Sequence, residues 1–172
     1  MNKKILMLTI SLLTIVMLVP IGLSYASKPV EVTSVMFLNA EIINSETVGV
    51  NVISERVLSG SFTDGPFEGD IYREIRVVQH TKTGKITVQN IVNVENAVVT
   101  VDGMVAEGSF VMKVMGIVGN AKWTIISSDL TVDDESVTLH GQGTATVTDF
   151  VFVDPLHYNI ENTLTGQVSI TP

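Results

Sequence analysis

The chain has 172 residues, with 10 Lys and Arg against 18 Asp and Glu and no cysteine. That accommodates one domain of ordinary size and excludes disulfides, thiolate metal sites and a cysteine nucleophile. Without residues 1–26, which read as a leader, all eighteen acids remain but Lys3 and Lys4 are lost, a balance that repels phosphate backbones and anionic membranes. The remaining basic residues are scattered, with no cluster larger than a pair such as Arg73 and Arg76, so no nucleic-acid partner is expected.

The chain opens on Met1-Asn2-Lys3-Lys4, a short positive start. From Ile5 to Leu23 only Thr9, Ser11, Thr14, Pro20 and Gly22 interrupt apolar side chains, and Ser24-Tyr25-Ala26 follow. Small residues at 24 and 26 suit a signal peptidase pocket, and Pro20 with Gly22 breaks the helix ahead of it. The sequence therefore predicts a signal peptide over 1–26, cleaved between Ala26 and Ser27. The alternative is an uncleaved anchor, since residues 5–23 as a helix would reach about 28 Å, close to a hydrocarbon core, and would be the chain's one membrane contact. Both readings export residues 27–172, giving a secreted or extracytoplasmic cell-surface location.

Residues 27–172 contain 25 Val, 12 Ile and 16 Thr against 6 Leu and 5 Ala, a bias that strands accept and helices tolerate poorly. An entry strand is expected near 30–38. Alternation then appears at Val48, Val50 and Val52; at Leu58 and Phe62; at Ile71, Ile75 and Val77; at Ile86, Val88, Val92 and Val94; at Phe110, Met112 and Val114; and at Ala121, Trp123 and Ile125. Asp64-Gly65-Pro66, Lys82-Thr83-Gly84, Asp102-Gly103, Gly119-Asn120, Asp133-Asp134 and Asp154-Pro155 mark turns at hairpin spacing.

Two segments alternate without a fault. Over Ser136–Thr148 the odd positions are apolar or glycine, and over Tyr158–Ile170 the odd positions are all polar or charged. Such long strands with one dry face predict an all-β fold: a single antiparallel closed barrel of about eight strands in meander order. Gly60, Gly69, Gly108, Gly116, Gly141, Gly143 and Gly166 fall in or beside strands, where glycine permits the coiling that closes a barrel or marks a bulge.

The run Gly108-Ser-Phe110, then Trp123-Thr-Ile125-Ile-Ser-Ser128, then Leu139-His-Gly141-Gln-Gly143, closed by Gly166-Gln-Val168, resembles the secreted barrels related to allene oxide cyclase. The resemblance covers roughly residues 57–172 and reaches only the fold. It implies an eight-stranded antiparallel barrel with a lumen, in some members a pocket for an apolar ligand. No catalytic residue of the cyclases aligns with a position here.

Polar residues that share parity with apolar neighbours should point into that lumen: Arg73, Asn90, Tyr158 and Asn162, with Trp123 on a dry face beside them. A buried charge or amide needs a partner, so Arg73 is expected to face an acid of a neighbouring strand or the carboxylate of a ligand. His80, His140 and His157 are widely separated and read as surface residues, and no Gly-x-Ser-x-Gly elbow or phosphate loop occurs. Asp133-Asp134-Glu135 and Asp64, Glu68 and Asp70 are acidic enough to suggest calcium but match no calcium loop, and solvated turns are the simpler reading. No catalytic residue, metal site or cofactor is therefore expected. Met112 and Met115 have opposite parity, which favours packing over a thioether copper site. Phe150 to Val153 form an apolar run that could continue a buried strand, cover the barrel mouth or offer a contact patch.

These features favour an exported, non-enzymatic barrel that binds a small apolar or amphipathic ligand or serves a structural role. The competing readings are a cyclase or isomerase working in the lumen, and a protein-interaction module that assembles with itself or a partner. A lumen of several hundred Å³ would favour the first two, and a filled one the third.

Overall fold

A computed structural model describes residues 26–172, so all but Ala26 of the leader expected over residues 1–26 lies outside the described residues. Eight strands follow in chain order: β1 (Val30–Val48), β2 (Asn51–Asp64), β3 (Phe67–His80), β4 (Ile86–Val101), β5 (Met104–Ile117), β6 (Asn120–Val132), β7 (Glu135–Phe152) and β8 (His157–Thr171). Each pairs antiparallel with the next, and β8 pairs back onto β1 from Val30↔Val168 to Glu41↔His157, so the meander closes into a ring with no free edge.

Period-two patterning decides which side chains fill the ring. Along β3 the buried residues are Phe67, Ile71, Arg73, Ile75 and Val77, alternating with Glu68, Asp70, Tyr72, Glu74 and Arg76 outside. The expected alternation of Val48, Val50 and Val52 does not describe one strand. Gly49 takes φ 61° and turns the chain there, so Val48 ends β1 and Val52 belongs to β2.

Bulges bend the strands and exchange their faces. In β4, Asn96 adopts φ 50° where Asp70 pairs with Glu95 and Glu68 with Val98, and its side chain donates to Asp70 Oδ2 at 2.8 Å. In β6 the extra residue is Ile126, opposite the Val111/Met112 step of β5, and the buried parity changes from Ala121 and Trp123 to Leu130 and Val132. Thr148 does the same in β7, between Val147↔Asn162 and Asp149↔Glu161.

The interior divides into two halves. The half near the β2–β3, β4–β5 and β6–β7 turns is packed solid, with Trp123, Phe67, Phe110, Met36, Leu38, Leu130 and Leu164 all less than 2% exposed. Ring centroids of Phe67 lie 5.5 Å from Phe62 and Phe110 and 6.4 Å from Trp123, edge to face with the indole. Ser27 seals this end by donating its N–H to Ile170 O at 2.7 Å and accepting from Ile170 N–H on Oγ at 2.6 Å. The expected cleavage point, between exposed Ala26 and buried Ser27, therefore sits at the packed end. A Ser27→Ala protein keeps the first of these bonds and loses the second. It is expected to melt lower by an amount equivalent to about 1 kcal/mol, as thermal unfolding will measure.

Candidate functional site

The other half of the interior is hollow. A cavity of about 290 Å³ opens between the β1–β2, β3–β4, β5–β6 and β7–β8 turns and is walled by aliphatic side chains from seven strands, β2 to β8, among them Val77, Val88, Val114 and Val147. Its size stands at the lower end of ligand pockets, which run from roughly 300 Å³ upward.

Four of the five residues expected to face a ligand meet here. Arg73, Asn90, Tyr158 and Asn162 all line the cavity, brought from β3, β4 and β8. Arg73 is 5% exposed, Asn90 4% and Asn162 8%, so each is held away from solvent by the sheet wall. Yet Arg73 Nε, Asn90 Oδ1 and Asn162 Nδ2 are buried without any hydrogen-bond partner. Most buried polar groups are paired, so three such atoms around one cavity set it apart from the rest of the interior.

The fifth, Trp123, lies in the packed half. It is fully buried, and its indole N–H donates to Thr165 O at 3.2 Å across the β6–β7–β8 surface. Its role there is to fill space, and three glycines make the room. A Cβ on Gly141 would stand 2.9 Å from the indole Cζ3, and one on Gly143 or Gly166 would come 2.7 Å from Nε1 or Cζ2. The glycines expected from sequence to help a sheet coil are, at these three positions, the floor on which the indole rests.

Sequence reasoning missed Arg56. It lines the same cavity, half-buried on β2, where Nε donates to Ser54 Oγ at 2.9 Å and Nη1 to Tyr158 Oη at 2.8 Å. Its guanidinium carbon lies 5.2 Å from the Tyr158 ring centroid, a cation–π distance. Arg56 shares parity with Leu58 and Phe62, the same signal that singled out Arg73, so the pattern held the information.

The charge pattern of the cavity is the reverse of the chain's. Two arginines line it, and no Asp, Glu or His does. The one ion pair among the described residues joins His157 Nδ1 to Asp154 Oδ2 at 2.8 Å in the exposed β7–β8 turn, so the acid expected as one of two partners for Arg73 is not there. Burial pulls the Arg73 guanidinium down from its ordinary range to about 10, with Tyr158 opposing part of the shift. It remains protonated at neutral pH, an unneutralised charge in an apolar wall.

At the mouth the β7 bulge matters. Thr148 transfers the inward parity from Val147 to Phe150, whose ring stacks on Tyr158 at 4.7 Å and lines the cavity. Phe152 packs edge-on against Phe150 at 4.9 Å. This run continues the strand beyond the ring and is not buried: Phe150 is 41% exposed, Phe152 65% and Val153 63%. Val48 and Val50 at the β1–β2 turn and Leu156 at the β7–β8 turn are exposed as well, so the opening has an apolar rim.

The remaining candidates stay on the surface. His80 Nδ1 accepts from Thr83 N–H at 3.2 Å in the β3–β4 turn, and His140 meets Thr171 on the outer wall at 3.0 Å. Asp133 and Asp134 form the β6–β7 turn with φ 51° and 67°, while Asp64 and Asp70 accept from Gly65 N–H and Asn96. Among the described residues no three His, Asp or Glu side chains converge as a metal site. Met112 is buried and Met115 exposed, on opposite faces of β5. Compared with known proteins, the chain matches no family model and no curated protein.

Proposed function

We propose that this chain is an exported, non-enzymatic β-barrel whose lumen binds a small apolar or amphipathic ligand. The observation that carries the reading is the half-hollow interior: a cavity of about 290 Å³ with aliphatic walls and three buried polar atoms lacking partners. A core selected for stability alone would fill that space, because close packing is the rule and each void forfeits dispersion contacts. Export rests on the leader over residues 1–26, and the resemblance to barrels related to allene oxide cyclase accords with a lumen. Binding is favoured over a cyclase or isomerase reaction because the cavity brings two arginines, two amides and a tyrosine but no carboxylate or imidazole to act as general base.

Native and denaturing mass spectrometry of the protein recovered gently from its host tests this. The expected native mass exceeds the 27–172 polypeptide by a discrete small-molecule increment that disappears on denaturation. A bare polypeptide mass, whatever is offered to it, counts against a ligand.

One observation favours a second reading, a protein-interaction module. The rim of Phe150, Phe152, Val153 and Leu156 is apolar and exposed, as contact surfaces are. A native mass at an integer multiple of the polypeptide, reduced to the single mass by Phe152→Ser with Val153→Ser, would establish assembly through this rim.

A further inference from the structure

We propose that the ligand is a small organic anion, bound with its carboxylate against Arg73 and Arg56 inside the lumen and its apolar body along the aliphatic wall. This rests on the reading of the lumen as a binding cavity and goes beyond it by fixing the charge and the orientation of what is bound.

Three observations carry the charge. Arg73 and Arg56 are two of the chain's 10 basic residues, and both line one cavity although acids outnumber bases overall. No acid lines that cavity, and neither guanidinium has a carboxylate within ion-pair distance among the described residues. Arg73 Nε is buried and unpartnered, a donor that only an acceptor arriving from outside can satisfy. A neutral ligand would bond that N–H and leave the charge uncompensated, whereas a carboxylate does both and matches the planar fork of a guanidinium.

The orientation follows from where the polar groups stand. Arg73 lies midway along β3, and Asn162, opposite Met36 and Val147, lies well inside β8. Phe150, Val118 and Gly119 line the opening. An anion satisfied by Arg73 and Asn162 Nδ2 therefore sits deep, and its apolar body points outward between Val77, Val88 and Val147. Asn90 Oδ1 is an unpaired acceptor beside it, suited to a hydroxyl or amide N–H on the ligand. A polyanion is disfavoured because the outer surface is acidic.

The test uses three probes of one shape, octanoate, 1-octanol and octylammonium, titrated calorimetrically into the 27–172 protein and its Arg73→Met variant. Octanoate is expected to bind about tenfold tighter than 1-octanol or better, the worth of a charge-assisted hydrogen bond, with octylammonium weakest. Arg73→Met should weaken octanoate about tenfold or more and 1-octanol, which loses at most one neutral hydrogen bond, far less. Equal binding of octanoate and 1-octanol to the unsubstituted protein would overturn the anion and leave the cavity reading intact. Binding of none of the three, together with a bare native mass, would remove both. Should the variant not fold, the ranking of the three probes on the unsubstituted protein still decides.

Discussion

Arg73→Met is expected to make the unliganded protein more stable. Among the described residues Arg73 is charged, buried and without a carboxylate partner, and burial lowers its pKa from the ordinary arginine range to about 10. At roughly 1.4 kcal/mol per unit, the buried charge costs the folded state about 3 kcal/mol. Methionine is unbranched and of similar length, and it removes both the charge and the orphaned N–H. In a domain of this size each kcal/mol moves the midpoint by about 3 °C, so thermal unfolding should rise by about 5 °C or more.

The pH dependence supplies an independent check. A basic group with a lowered folded pKa binds fewer protons folded than unfolded between the two values. Stability of the unsubstituted protein therefore carries the full cost below about pH 10 and recovers part of it as pH rises above that toward the ordinary arginine range. The advantage of Arg73→Met should be constant at neutral pH and shrink across that alkaline window. If the variant instead melts lower at pH 7, Arg73 is satisfied in solution and the charge argument for the ligand fails. On the proposed reading of the cavity, a residue that costs the fold stability at that place is stability given up for binding.

Much of this arrangement is legible in the sequence, and the failures have physical causes. Ser136–Thr148 and Tyr158–Ile170 alternate cleanly because their ladders run in register through the middle of the closed sheet. The parity rule placed Arg73, Asn90, Tyr158 and Asn162 in one interior, and they do meet in one cavity. It lost the thread wherever a bulge added a residue. Beyond Thr148 both parities are apolar, since Phe150 and Phe152 take the inward side while Val151 and Val153 remain at an exposed rim, so the run Phe150 to Val153 could be read as core. Ile126 hides the link between Trp123 and Leu130 in the same way. The side of the interior on which Trp123 would fall was not legible, because parity assigns a face and says nothing about depth along the strand.

Trp123 also carries the second large effect. Trp123→Ala is expected to cost about 3–5 kcal/mol, since nothing nearby can collapse into the space of a fully buried indole packed on Phe67 and three glycines. The glycines separate two kinds of constraint. At Gly141 the nearest atoms to an added Cβ belong to side chains, Trp123 Cζ3 at 2.9 Å and Ile125 Cγ1 at 3.0 Å. At Gly143 an added Cβ would strike the backbone of Thr165 and Gly166 on the neighbouring strand. Gly141→Ala should therefore be destabilising alone and close to neutral in a Trp123→Ala background, giving a coupling of about 1 kcal/mol or more in a double-mutant cycle. Gly143→Ala should stay strongly damaging even with alanine at 123, because losing the 2.7 Å contact with the indole Nε1 leaves the tighter clash with the Thr165 carbonyl in the β7–β8 ladder. Chemical denaturation of the three single and two paired variants reads both cycles. Equal coupling at the two glycines would mean that the indole sets the small-residue requirement at both, and that the close approach of β7 and β8 does not.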